Sequence, residues 1–153
     1  MDKTQTMNCV ELAKSYQQKN FNCAQSTFVG CSRYFKMDQE LALKVSGMFG
    51  AGICRTGETC GAVIGALMAL GLKYSMVTAG DVQTKSKSYQ IGREFMARFK
   101  TRNGCTACRE LLNCEIGTPE GDAYAKANNL HDELCPKFIQ DAVEIFYGMI
   151  DEA

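Results

Sequence analysis

Nine cysteines stand in a chain of 153 residues, and four of them share a context that activates a thiol. Cys23 follows Asn22, a good helix N-cap. Cys60 follows Thr59 at the first turn of an apolar run. Cys108 comes two residues after Thr106, which reads as another cap, and Cys135 directly precedes Pro136, a residue type favoured at the first helical position. Within one turn of a helix N-terminus, unpaired backbone N–H groups and the positive end of the helix dipole favour thiolate over thiol. Thiolate is the form that ligates metal, attacks disulfides and oxidises. Cys23, Cys60, Cys108 and Cys135 are therefore expected to converge on one site as metal-binding or redox groups.

The other five read differently. Cys9 and Cys31 sit mid-helix on apolar faces, where cysteine packs as a small hydrophobe. Cys54 and Cys114 fall in loops. Cys105 makes CTAC with Cys108, the spacing of a dithiol pair or of half a metal site. Should the thiols work without metal, Cys105, Cys108 and Cys60 are the candidate catalytic residues. Cys54 and Cys105 are expected near the rim of the site. His131 is the single histidine, which excludes a multi-histidine metal site; within HDELCP it reads as a solvent-facing loop residue. Arg55 and Glu58 beside Cys60 read as solvated loop charges, and Tyr74, Tyr89, Phe95 and Phe99 as core or interface aromatics.

These residues must be positioned by helices, since no segment alternates as a strand. Apolar spacing predicts helices over Met7–Lys19, from Asn22 to about Phe35, and from Asp38 with a stripe of Leu41, Val45 and Met48. GMFGAGICRTGE, residues 47–58, holds four glycines without periodicity and predicts a loop with positive φ or close backbone approach. It lacks the GK[ST] of a phosphate-binding loop. Thr59 to about Tyr74 is apolar nearly all round and predicts a buried central helix, with Gly61, Gly65 and Ala69 opening one face to a close neighbour. Further helices are expected from Asp81 to about Arg102, from Thr106, from Thr118–Pro119 to about Asn129, and from Cys135 to the C-terminus. The expected fold is all-α: a single-domain bundle, residues 1–153, of about seven to eight helices. The last helix carries Ile139, Val143, Phe146 and Ile150 with Phe138 and Tyr147 beside them. That is more apolar surface than one core face takes, and it suggests a homodimer.

The bulk numbers narrow the function. Seventeen acids balance seventeen bases, so no field favours nucleic acid or an anionic membrane. The longest apolar run, Cys60–Leu72, has 13 residues, where a membrane span needs roughly 20. The N-terminus has no apolar signal core, which makes the cytoplasm the expected location. Cysteines stay reduced there unless catalytic, redox-sensing or metal-bound. An odd count disfavours a closed disulfide framework as well.

FNCAQSTF around Cys23, GAGICRTGETCGAVIGALMALGL around Cys60, CRELLN from Cys108 and CPKFIQDAVEI from Cys135 together resemble one family. It is the bacterial and archaeal family described as redox-active and named for its C_GCAxxG_C_C pattern. The resemblance runs from about residue 8 to 150 and maps the family's four characteristic cysteines onto Cys23, Cys60, Cys108 and Cys135. A similar domain occurs in the split-Soret cytochromes, where an iron–sulfur centre is associated with it. The chain has no CxxCH for covalent haem.

Two redox readings follow. In the first, the four cysteines hold a [2Fe–2S] or [4Fe–4S] cluster between helices, for electron transfer or redox sensing. In the second, a metal-free thiol–disulfide enzyme or sensor uses Cys105 with Cys108, or Cys60 with a partner across the core. Either implies a redox partner protein. A structural Cys₄ zinc site ranks below them for want of paired CxxC knuckles, and a metal-free binding module is the non-redox alternative.

Overall fold

Polar caps set most of the helix starts. Asp2 accepts the N–H of Gln5 and opens α1 (Lys3–Gln18). Asn22 and Gln25 form a reciprocal capping box at α2 (Cys23–Ser32), which runs on into a 3-10 turn at Arg33–Phe35. Asp38 caps α3 (Gln39–Ser46). A second 3-10 turn, Gly47–Phe49, and an irregular loop lead to α4 (Gly61–Tyr74), and Asp81 caps the long α5 (Val82–Asn103). The chain ends with a single turn α6 (Cys108–Leu111), α7 (Pro119–Ala127) behind its Thr118 cap, a second single turn α8 (Leu130–Glu133), and α9 (Cys135–Glu152). The computed structural model describes residues 1–152. Among them there is no strand, and the sole sheet-like pairing is an antiparallel bridge between Thr59 and Ala107. The protein is all-α. No helix among the described residues is long and apolar enough to cross a membrane.

The helix expected from Thr106 is only the single turn α6, because Thr106 and Ala107 are drawn into that bridge. α8 was not expected at all. The other boundaries agree to within a few residues.

One buried cluster runs through α1, α2, α4, α5 and α9. The first half of α4 is enclosed, with Gly61, Ala62, Val63, Gly65 and Ala66 buried, while Leu72 near its far end is exposed. The enclosed end is the one that carries Cys60. Gly61 and Gly65 form the close face, and the neighbour is α2. A Cβ built on Gly65 would stand 2.7 Å from the Ala24 carbonyl oxygen and 3.0 Å from the Phe28 nitrogen.

α9 is more enclosed than α4. Ile139, Val143 and Phe146 are fully buried and Phe138, Tyr147 and Ile150 nearly so, because α1, α2, α4 and α5 all pack on this helix. Its apolar surplus is used inside the chain, which removes the basis for reading a homodimer from it. The stripe of α3 does the reverse. Leu41, Val45 and Met48 are 48%, 42% and 71% exposed, and the helix turns its small residues Ala42 and Ser46 inward.

Candidate functional site

Four helix starts carry the four cysteines, and hydrogen bonds tie the start of α2 to the glycine-rich loop and the starts of α4 and α6 to each other. Cys23 is the first residue of α2, and its cap Asn22 also donates from Nδ2 to the Gly47 carbonyl at 3.0 Å, tying the start of α2 to the glycine-rich loop. Cys60 is the N-cap of α4 and Cys108 the first residue of α6. The bridge at Thr59 and Ala107 sets these two side by side: Cys60 N–H donates to the Thr106 carbonyl at 2.8 Å and Cys108 N–H to the Glu58 carbonyl at 2.7 Å. Cys135 opens α9 directly after α8.

The result is one cavity. Cys23, Cys60, Cys108 and Cys135 all line it, walled further by Ala51, Leu111, Leu112, His131 and Phe138. Its free space for water centres is about 10 Å³, roughly one water. Among the described residues no group of three or more His, Cys, Asp or Glu side chains is arranged to hold a single metal ion, and all nine cysteines are free.

The thiolate expectation needs correction. Backbone N–H groups are indeed turned toward the sulfurs, those of the loop residue Ala51 and the helix-start residues Gly61 and Ala24 toward Cys23 and those of Ala62 and Val63 at the start of α4 toward Cys60, and they act to lower the thiol pKa values. Burial outweighs them. It pushes Cys23 up and Cys60 well up, and it drives Cys135 up with help from the neighbouring Cys23 and Cys108. Burial, then Cys23 and Cys114, push Cys108 up to about 12. Each of the four is raised partly by another of the set or helps to raise one. A pocket that excludes water and supplies no cation near enough to compensate keeps its thiols protonated.

The remaining cysteines do not line the cavity. Cys105 is half-buried beside Glu110 and Lys100, and it is not among the lining residues, so CTAC splits between the cavity and the surface. Cys54 is exposed and donates to the Met48 carbonyl at 3.2 Å; Cys114 donates to the Gly121 carbonyl at the same distance. Cys9 and Cys31 are buried in the core, where Tyr147 Oη donates to the Gly30 carbonyl at 2.7 Å.

Two features of the site escaped sequence reasoning. His131 is a half-buried helical residue on the cavity wall, with Nδ1 3.6 Å from Cys135 Sγ. The signal was available in its spacing, since residues four apart share a helical face. The second feature is the backbone of the loop. Ala51, Ile53, Cys54 and Arg55 all have positive φ (51°, 68°, 50° and 61°), alongside Gly52 and Gly57. Each such non-glycine residue costs about 1–2 kcal/mol. The left-handed coil is closed by Cys54 N–H to the Met48 carbonyl and Glu58 N–H to the Gly52 carbonyl, both at 2.9 Å. It brings Ala51 onto the cavity and Arg55 to its outer side, where Arg55 pairs with Asp122. Glu58 pairs instead with Arg109, at 2.6 Å.

Residues 21–149 match the family described as "Putative redox-active protein (C_GCAxxG_C_C)". No curated protein and no solved structure matches the chain.

Proposed function

The chain belongs to the C_GCAxxG_C_C redox-active family, and on that footing we propose that Cys23, Cys60, Cys108 and Cys135 form one redox centre whose cofactor is an iron–sulfur cluster. One observation carries the reading: four cysteines distant in sequence, on four different elements, line the same small cavity. Four cysteines are the usual complement for such a cluster. When bound, it would supply one-electron transfer. The chain's own residues do the rest. Leu111, Leu112 and Phe138 exclude water, and the N–H groups turned toward Cys23 and Cys60 stabilise negative charge on sulfur, which raises a reduction potential. The narrow free space means that loading displaces side chains of the wall. The whole chain acts as one redox domain in the reducing cytoplasm, exchanging electrons with a partner protein.

The small free volume favours a second reading, a thiol–disulfide centre without metal. Oxidation of two thiols to a disulfide hands two electrons and two protons to an acceptor. Cys60 and Cys108 stand on the cavity and Cys105 does not, so the pair belongs among the four lining cysteines rather than to CTAC.

Purification without oxygen followed by addition of ferrous iron and sulfide separates the two. The cluster reading expects visible absorption with matching iron and sulfide per chain, lost in Cys60→Ser while the helical circular dichroism persists. A colourless, iron-free product, with mild oxidation linking two of the four cysteines on peptide mapping, moves the assignment to the thiol centre. Redox behaviour unchanged in Cys60→Ser ends both.

A further inference from the structure

Outside the cysteine cavity lies a second space of about 320 Å³, within the range of small-ligand sites. The two share Cys23, Ala51, His131 and Cys135 as a common wall, whereas Cys60 and Cys108 line the inner cavity alone. The four-cysteine arrangement thus has a closed edge and an edge that looks onto a vestibule.

Most polar groups in the vestibule are already engaged. Asn22 is used in its capping box and on the Gly47 carbonyl. Gln17 donates to the His131 carbonyl at 3.3 Å and to Asp132, the single carboxylate of the lining, at 3.5 Å. Besides the Asn20 carboxamide, which makes no side-chain hydrogen bond among the described residues, two groups are not fully used. Arg55 spends one nitrogen, Nη1, on Asp122, and its other guanidinium N–H groups have no acceptor among the described residues. His131 Nε2 is buried and has no hydrogen-bond partner among the described residues. The charge of Arg55 reaches His131, so the two lie in one electrostatic neighbourhood.

We propose that the vestibule binds a small anion, a carboxylate or an oxyanion such as phosphate, held by the free side of the Arg55 guanidinium with its body against the Cys23–Cys135 edge. A planar guanidinium with donors to spare favours a two-oxygen acceptor over a neutral group. The volume limits the ligand to a small molecule, and the shared wall puts it in contact with the cysteine centre. The strained loop gains a purpose, since its left-handed residues aim Arg55 at this mouth. The link to electron transfer rests on the redox centre proposed above. Binding of the anion does not, so the titration below and the iron–sulfide reconstitution fail independently.

The test is a titration of isotopically labelled protein by amide and side-chain NMR with malonate, with inorganic phosphate and with neutral malonamide. Saturable shifts are expected at the Arg55 side chain, the His131 ring and the Cys23 and Cys135 amides. They should appear with malonate or phosphate, the tighter one naming the acceptor chemistry, and be absent with malonamide. Arg55→Gln should weaken binding at least tenfold, as expected for loss of a charge-assisted contact. Asp122→Asn, which frees the guanidinium, should tighten it and serves if Arg55→Gln fails to fold. Equal shifts with malonamide, no saturable shifts at these residues, or affinity unmoved by both substitutions would overturn the proposal.

Discussion

Gly61→Ala tests how closely the site depends on the α2–α4 crossing. A Cβ at Gly61 would overlap Cys23 Sγ outright and stand 2.9 Å from both the Ala24 nitrogen and the Phe49 carbonyl oxygen. Two of those three atoms are backbone and cannot swing aside. Overpacking of this kind costs about 1–3 kcal/mol, while alanine in a helix regains about 0.5–1 kcal/mol over glycine. The expected net loss is roughly 1–2 kcal/mol, about 3–6 °C in Tm for a chain of this size. Gly65→Ala is the matched control. Its Cβ would press on the Ala24 carbonyl oxygen at 2.7 Å and on the Thr27 Cβ at 3.1 Å, but on no cysteine. Urea denaturation should show both variants destabilised. Iron–sulfide loading, or Cys23 alkylation in the metal-free protein, should change strongly only in Gly61→Ala. Both variants melting at or above wild type, or Gly65→Ala disturbing loading as much as Gly61→Ala, would refute the reasoning.

The loop and the thiols make further predictions. Ile53 has φ of 68°; glycine there relieves about 1–2 kcal/mol of backbone strain and adds about 0.5–1 kcal/mol of unfolded-state entropy. Since Ile53 is only 37% exposed, the comparison is with Ile53→Ala, which loses the same burial but keeps the strain. Ile53→Gly should be more stable than Ile53→Ala by about 0.5–1 kcal/mol in urea melts, and the reverse order would contradict the strain. Burial holds the Cys108 thiol protonated up to about 12 against an ordinary 9.0. The unfolded chain thus loses this proton first as pH rises, and Cys108 alone should lower stability by about 1.4 kcal/mol per pH unit within that window. Below it the contribution is intact. Melts of the reduced, metal-free protein at about pH 8 and about pH 10 check this against Cys108→Ala, whose decline should be shallower.

Much of the architecture was legible because its signals are local. Asp2 aside, the caps Asn22, Asp38, Asp81 and Thr118 announce their helices in the sequence, and each accepts a backbone N–H in the structure. The glycine spacing in CGAVIGA marked a close helix crossing, because removal of a Cβ has its effect wherever a neighbour lies within van der Waals reach. Burial was less legible. The stripes of α3 and α9 have the same helical period, yet one faces solvent and the other the centre. Periodicity tells which residues share a face, whereas only the arrangement of the other helices tells what that face meets. The site divides the same way. Asn22 placed Cys23 at a helix start and Pro136 placed Cys135, whereas the cap expected at Thr106 is not formed: α6 starts behind Ala107 and α4 behind Cys60, both without a side-chain cap. Setting Cys60 beside Cys108 needed the Thr59–Ala107 bridge, across 48 positions of chain. The protonation of the thiols needed the walls, since burial outweighed the helix-start N–H groups that sequence alone could see. His131 and the left-handed run at Ala51, Ile53, Cys54 and Arg55 depended on tertiary structure for the same reason. A strained backbone persists only where distant segments close around it, and nothing within a turn of the loop records those segments; for His131 the spacing from Cys135 indicated proximity, but not burial on the cavity wall.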